Sequence, residues 1–328
     1  MKTWYNAWPP EVLHSPFDWL LPIKRGNPFS GYPVHGDEAY HPFFIVGSPR
    51  SGNTLMRRIL YAHPHLHIPP EIFVLGNTVR LFRQYRNMKW RDLVYFILAQ
   101  YEFAPEFEVF EISLRPLVAR LLDAPKSSRN LAFILNSLYR YHAEEKGKKT
   151  ECKRWGDKTP PNIFRLNTIL SVFPDAQFIY MVRDGVDSIV SILEAHIHDD
   201  LESSADRWLA GVKAASKFIS RHPNICLEVR YENLVQMPVE TASTVCEFLG
   251  IEHDANLVNS MVNSHEITQQ MTDIRTRVNH ANVRQPISVN SIGKGRRKLS
   301  MAQKLRLQEL IGDELERLGY EPATYEYN

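Results

Sequence analysis

The stretch Phe43-Phe44-Ile45-Val46-Gly47-Ser48-Pro49-Arg50-Ser51-Gly52-Asn53-Thr54-Leu55 restricts the fold more than any other part of the chain. Apolar residues Phe43 to Val46 run into a loop bounded by Gly47 and Gly52. A helical pattern then starts at Thr54 and continues through Leu55, Met56, Ile59 and Leu60. A strand, a glycine loop and a helix N-terminus together make a phosphate cradle. The loop's backbone N–H groups point inward and the helix dipole favours an anion. The spacing from Gly47 to Gly52 to Thr54 is that of a P-loop, but Asn53 stands where a Lys normally reaches the β- and γ-phosphates of a nucleoside triphosphate. A nucleotide with a different reactive end is expected, with Arg50 as the positive charge at the transferred group. A plain turn between strand and helix has the same composition, so the rest of the chain must decide.

That remainder alternates strands with helices. Residues up to about 41 are rich in Pro, Gly and aromatics, with Trp4, Trp8 and Trp19 among them, and read as an irregular arm. His63-Pro64 and Pro69-Pro70 end the first helix, and Glu71 follows. Residues 77–147 read as a helical insertion, from Trp90, Leu93, Val94 and Ile97 through Leu131, Ile134, Leu135 and Leu138. Cys152 to Trp155 reads as a short strand, followed by a helix from Pro161 to Phe173. Gln177 to Val182 is a buried strand of the kind parallel sheets use, and it ends at Arg183-Asp184-Gly185. A helix covers roughly 203–220, Ile225 to Val229 forms another strand, and Pro238 to Leu249 a helix closed by Gly250. Residues 253–298 are polar and read as a covering loop holding Arg275, Arg277 and Arg284, and residues 300–318 form a final helix. The expected architecture is one α/β domain over residues 1–328, a P-loop-like parallel sheet flanked by helices. Ligands bind such sheets at the carboxyl ends of the strands, where Gly47, Arg183 and Tyr231 fall.

Composition narrows the function classes. The 328 residues carry a formal net charge of +2, so bulk charge implies no nucleic-acid surface. Cys152, Cys226 and Cys246 lack metal-ligand spacing and read as reduced thiols. No apolar run reaches the length of a membrane span, and no signal-peptide order is visible. A soluble, cytoplasmic protein with no membrane partner is expected.

Several groups could carry chemistry. Arg183 at a strand end and Ser191 about two helical turns on suit a second phosphate. Gly293-Lys294-Gly295-Arg296-Arg297-Lys298 combines cations with glycines that let backbone close over a ligand. Glu71 is a plausible base and Lys158 a plausible stabiliser of a bridging oxygen. Each also has a plain reading as a surface residue or a solvated basic loop. His63, His65 and His67 have no completing carboxylate or Cys motif, so no metal is expected.

Taken in order, these segments resemble the sulfotransferases that use 3′-phosphoadenosine 5′-phosphosulfate. Gly47 to Leu55 resembles their 5′-phosphosulfate loop. Phe178 through Arg183-Asp184 to Ser191 resembles their 3′-phosphate motif. Val229-Arg230-Tyr231-Glu232-Asn233-Leu234 with Phe248-Leu249-Gly250 resembles the segment whose Tyr lies near the adenine. Ser291-Ile292-Gly293-Lys294-Gly295-Arg296-Arg297 looks like the late loop that closes over the nucleotide. Pro49 to Arg57, Ala62-His63-Pro64 and Glu71 are similar to tyrosylprotein sulfotransferases and many bacterial sulfotransferases. The resemblance spans about residues 43–320. Asn53, Gly185 and Gly295 depart from the usual Thr, Pro and Trp.

The resemblance implies a metal-independent sulfotransferase. It implies nucleotide binding by Arg50, Ser51, Gly52, Asn53, Thr54, Arg183, Ser191, Tyr231, Lys294, Arg296 and Arg297, and catalysis by Glu71, Arg50 and Lys158. The Lys-Thr-His base segment of the small-molecule cytosolic branch is absent. A small-molecule hydroxyl or amine is the expected acceptor. An ATP- or GTP-dependent P-loop kinase, with Asp184 as the nearest Mg²⁺ ligand, and a non-catalytic nucleotide-binding protein are the alternatives. Oligomeric state is not readable.

Overall fold

The computed structural model describes residues 31–146, 152–276 and 282–326. Trp4, Trp8, Trp19 and Arg277 lie outside them. Among the described residues the first elements are β1 (Phe43–Gly47) and α1 (Asn53–Tyr61), then a two-residue strand β2 (Leu66–His67). Helices α2 (Leu75–Tyr85), α3 (Trp90–Glu102), α4 (Arg115–Leu122) and α5 (Leu131–Glu145) follow, and the chain returns in β3 (Arg154–Asp157). Next come α6 (Leu166–Leu170), β4 (Gln177–Val182), α7 (Gly185–Glu194), α8 (Leu201–Ile219), β5 (Cys226–Arg230), α9 (Tyr231–Gln236) and α10 (Pro238–Leu249). The last part holds α11 (Ala255–Asn263), α12 (Thr272–Thr276), α13 (Lys294–Lys298) and α14 (Met301–Arg317).

The sheet is parallel with order β2-β3-β1-β4-β5. Strand alternation divides the apolar residues between its two faces. Phe44, Val46, Trp155, Phe178, Tyr180 and Val182 join the larger core with α2 to α5, α8 and α14. Phe43, Ile45, Ile179, Met181 and Val229 join the second core with α1, α10 and α11. Such two-faced burial is why β1 and β4 are continuously apolar in sequence.

The ends of the helices follow local chemistry. Asn130 caps α5 by accepting from the Phe133 N–H at 2.8 Å. Ser300 and Gln303 form a reciprocal capping box at α14. Two expectations are corrected. The helix expected from Pro161 to Phe173 is instead a 3₁₀ turn, Pro160–Phe164, followed by α6. The break is at Arg165, whose φ of −121° leaves the helical region. Residues 253–298 are not merely a loop, since they contain α11, α12 and α13. Strand β2 had no sequence signal because two residues carry no period.

Candidate active site

The loop after β1 is shaped by two left-handed residues, Arg50 at φ 67° and Gly52 at φ 91°. Asn53 Nδ2 donates to the Ser48 carbonyl at 3.0 Å, and the Ser51 N–H donates to the same carbonyl at 3.3 Å. No side chain caps α1 at Gly52, so its first N–H groups stay available to an anion. Gly52 is required here twice over. Its φ suits glycine, and a Cβ would lie 2.6 Å from the Tyr231 ring.

Strand β4 delivers Arg183 to the same place. Arg183 Nη1 donates to the Arg50 carbonyl at 3.0 Å and Nη2 to the Ser291 carbonyl at 2.9 Å. Its guanidinium lies 4.4 Å from the centre of the Tyr231 ring. Arg183 Nε is buried without a hydrogen-bond partner among the described residues. Arg50 Nε donates to Ser191 Oγ at 3.0 Å, and the Tyr231 hydroxyl pairs with Ser291 Oγ at 2.6 Å. The fold therefore gathers Arg50, Arg183, Ser191 and Tyr231, which lie far apart in sequence.

The late-loop cations divide. Arg296 is buried and donates to Asp184 Oδ2 at 2.7 Å and to the carbonyls of Glu321 and Pro322. It ties the C-terminal segment to the start of α7. Lys294 and Lys298 both pair with Glu194 at the end of α7. Arg297 donates to the Ile292 carbonyl at 2.9 Å and the Asn290 carbonyl at 3.4 Å. Asp184 is occupied as the N-cap of α7, accepting from the Val186 and Asp187 N–H groups, as well as by Arg296. Burial raises the Asp184 carboxyl above the usual range against the pull of Arg296.

Sequence reasoning passed over Asp187, which anchors this loop. Its two carboxylate oxygens each accept one N–H, from Gly293 and from Gly295, both at 2.7 Å. A Cβ on Gly295 would come within 2.6 Å of the Val186 carbonyl, so only glycine lets the loop lie this close to α7. The available signal was an acidic residue in the first turn of α7, four positions after Arg183.

Glu71 and Lys158 form a buried ion pair, with Glu71 4% and Lys158 1% exposed. Lys158 Nζ also donates to Thr54 Oγ1 at 3.2 Å, in the first turn of α1. Glu71, Lys158 and the first turn of α1 are thus one connected group. His63 and His65 are neighbours, with ring centres 5.7 Å apart and the His65 N–H donating to His63 Nδ1 at 3.1 Å, and each outer histidine has its own further partner. His63 Nε2 contacts the Glu252 carbonyl at 3.0 Å, whereas His67 Nε2 meets His142 Nδ1 at 2.7 Å.

A model of the sulfotransferase family matches residues 42–255, from β1 to the start of α11. The chain belongs to the sulfotransferase family. It is accordingly an enzyme of the class that uses 3′-phosphoadenosine 5′-phosphosulfate, which decides against the kinase and the non-catalytic readings. It is 27% identical over 286 residues to protein-tyrosine sulfotransferase 1 of Danio rerio, covering 85% of this chain and 72% of the relative. In fold it is similar to the sulfotransferase domain of the Synechococcus PCC 7002 olefin synthase, with a TM-score of 0.57 at 22% identity over 87% of this chain and 97% of that one. The sulfotransferase domain from the curacin biosynthetic pathway aligns with a TM-score of 0.55 at 19% identity, covering 87% of this chain and 99% of that domain. Among the described residues of this sulfotransferase, no helix is long and apolar enough to cross a membrane.

Proposed function

We propose that this sulfotransferase transfers a sulfuryl group from 3′-phosphoadenosine 5′-phosphosulfate to a small-molecule hydroxyl, with Glu71 as the base. The observation that carries this reading is Lys158, whose Nζ touches both Glu71 and Thr54 of the cradle. The site suits the donor in two respects. The uncapped α1 N-terminus suits a 5′-phosphate, and the buried, unpartnered Arg183 Nε suits a 3′-phosphate. The donor supplies an activated sulfuryl group when bound.

The chain's residues supply the remainder. Glu71 takes the acceptor proton, and Arg50 and Lys158 stabilise charge on the sulfuryl and bridging oxygens. N–H groups of Gly52, Asn53 and Thr54 hold the 5′-phosphate, with the Ser51 N–H kept inside the loop on the Ser48 carbonyl, while Arg183 and Ser191 hold the 3′-phosphate. Tyr231 flanks the nucleotide, with Arg297 and Lys294 at its rim. We assign Arg296 a structural role, because its donors are directed at Asp184 and two carbonyls. A sulfuryl group carries less negative charge than a phosphoryl group, so this mechanism calls on positioning and fixed cations and on no metal clamp.

The burial of Glu71 and Lys158 supports an acceptor whose hydroxyl sits on a slender group. A protein tyrosine is the second reading, favoured by the tyrosine sulfotransferase named among the relatives.

Thermal stabilisation tests the donor. At a hundred times its dissociation constant, 3′-phosphoadenosine 5′-phosphate adds about 2.7 kcal/mol of stability. 5′-AMP at the same concentration gives a much smaller shift. Equal shifts from both nucleotides count against the 3′-phosphate assignment. Sulfation of free phenols and alcohols, set beside tyrosine-containing peptides, separates the two acceptor readings.

A further inference from the structure

The catalytic pair stands on a second buried polar cluster that the reaction itself does not use. Strand β3 points Trp155 and Asp157 to the same face, towards α5. Tyr139 stacks on Trp155 with ring centres 4.1 Å apart and planes 13° from parallel. The Tyr139 hydroxyl donates to Asp157 Oδ2 at 2.6 Å, and Asn162 Nδ2 donates to Oδ1 at 2.8 Å. Trp155 Nε1 donates in turn to Asn136 Oδ1 at 2.9 Å, one turn before Tyr139 on α5. All five side chains are buried.

The next two residues face the chemistry. Lys158 takes the opposite face and reaches Thr54 and Glu71. Thr159 Oγ1 accepts from the Ile72 N–H at 3.4 Å, directly after Glu71. Residues 157, 158 and 159 therefore tie the insertion, the phosphate cradle and the base to one strand end. Burial raises the Asp157 carboxyl above its ordinary range, opposed by the hydrogen bonds from Tyr139, Thr159 and Asn162, and the nearby Glu71 charge adds to the rise.

We propose that Asp157 is a positioning residue for sulfuryl transfer: clamped by Tyr139 and Asn162, it fixes the strand end from which Lys158 engages Glu71 and Thr54. This rests on the catalytic reading of Glu71 and Lys158 given above. It gives the helical insertion a task in catalysis without any contact to the reacting atoms. Removal of the Tyr139 hydroxyl leaves the nucleotide cradle intact and loosens Lys158, so kcat falls while donor binding does not.

The test needs no known acceptor, because water can accept the group. Release of sulfate from 3′-phosphoadenosine 5′-phosphosulfate is measured on the full chain for wild type, Tyr139→Phe, Asn162→Ala, Glu71→Gln and Lys158→Ala. Binding of 3′-phosphoadenosine 5′-phosphate and thermal midpoints are recorded alongside. The expected result for Tyr139→Phe is a kcat lower by roughly 10- to 10²-fold, with donor KM and product affinity within about twofold of wild type. Asn162→Ala reaches the same carboxylate without disturbing the Trp155 stack, and it stands in if Tyr139→Phe does not fold. Wild-type kcat in a folded Tyr139→Phe or Asn162→Ala, beside loss in Glu71→Gln and Lys158→Ala, overturns the clamp alone. Wild-type sulfate release in Glu71→Gln and Lys158→Ala overturns the catalytic reading and the clamp with it. A kcat loss matched by equal loss of nucleotide affinity makes Asp157 merely structural and also overturns the proposal.

Discussion

The Glu71–Lys158 pair and the late loop are held by opposite kinds of contact. Glu71 and Lys158 are side-chain charges buried against each other, backed by Thr54 and the Asp157 cluster. The late loop is held by backbone N–H groups on Asp187, and its lysines lie part-exposed on Glu194. Buried charges stripped of one partner are costly, so the Glu71–Lys158 pair tolerates little displacement. Exposed pairs contribute little, so the Asp187 anchor dominates the loop's attachment to α7. The two regions thus differ in what holds them: buried side-chain charge in one, backbone N–H groups on a carboxylate in the other.

The contrast breaks most sharply at Glu71. Glu71→Gln is expected to lower turnover by about 10² to 10⁴ and to leave affinity for 3′-phosphoadenosine 5′-phosphate nearly unchanged. A glutamine variant with wild-type turnover would remove Glu71 from the mechanism.

Nucleotide-side variants invert that pattern. Arg183→Ala loses charge-assisted hydrogen bonds, so affinity for the 3′-phosphorylated nucleotide drops roughly 10- to 10²-fold while 5′-AMP binding holds. Asp187→Ala frees two buried N–H groups and raises donor KM about tenfold or more, with kcat spared. If Asp187→Ala reduced kcat at saturating donor and left KM alone, the loop would belong to the chemical step.

A smaller effect is expected from His142, on the insertion side. Burial first, then Lys146 and Arg57, lowers its imidazole to about 3. The folded state keeps it neutral, whereas the unfolded chain protonates it near its ordinary 6.5. Its contribution to stability is therefore complete above about pH 6.5. It declines as the pH falls through the window towards 3, by at most about 1.4 kcal/mol per pH unit. Denaturant midpoints between pH 8 and 5, compared with His142→Gln, read this slope. An unchanged slope in the variant removes His142 as its source. The smallest effect is Glu194→Gln, which releases two part-exposed lysines and is expected to cost under about 1 kcal/mol.

Much of the fold was legible because it is written in local chemistry. Four apolar residues ahead of a glycine loop specify β1 and the cradle, and Gln177 to Val182 reads as buried strand. Gly250 closes α10 as expected, at φ 64°. Spacing and residue type also flagged Arg50, Glu71, Lys158 and Arg183 as candidates, and the fold brings Lys158 to Glu71 and Arg183 to the Arg50 carbonyl. Only packing could sort the late loop, because Lys294, Arg296 and Arg297 are chemically alike in sequence. Arg296 is drawn inward by Asp184 and by carbonyls of the C-terminal segment, whereas Lys294 turns out to Glu194. The partners are contributed by distant segments, and no local pattern encodes which cation meets them. The same holds for Asp157. In sequence it is one acidic residue before Lys158, and its meaning comes from Tyr139, eighteen residues earlier on another element. The sequence by itself determined β1, β4 and β5, the glycine loop and the stock of charged groups, since these follow from apolar runs and backbone freedom. Tertiary structure alone decided which charges meet, because pairing is set by burial and by the strand order that brings β3 and β4 to either side of β1.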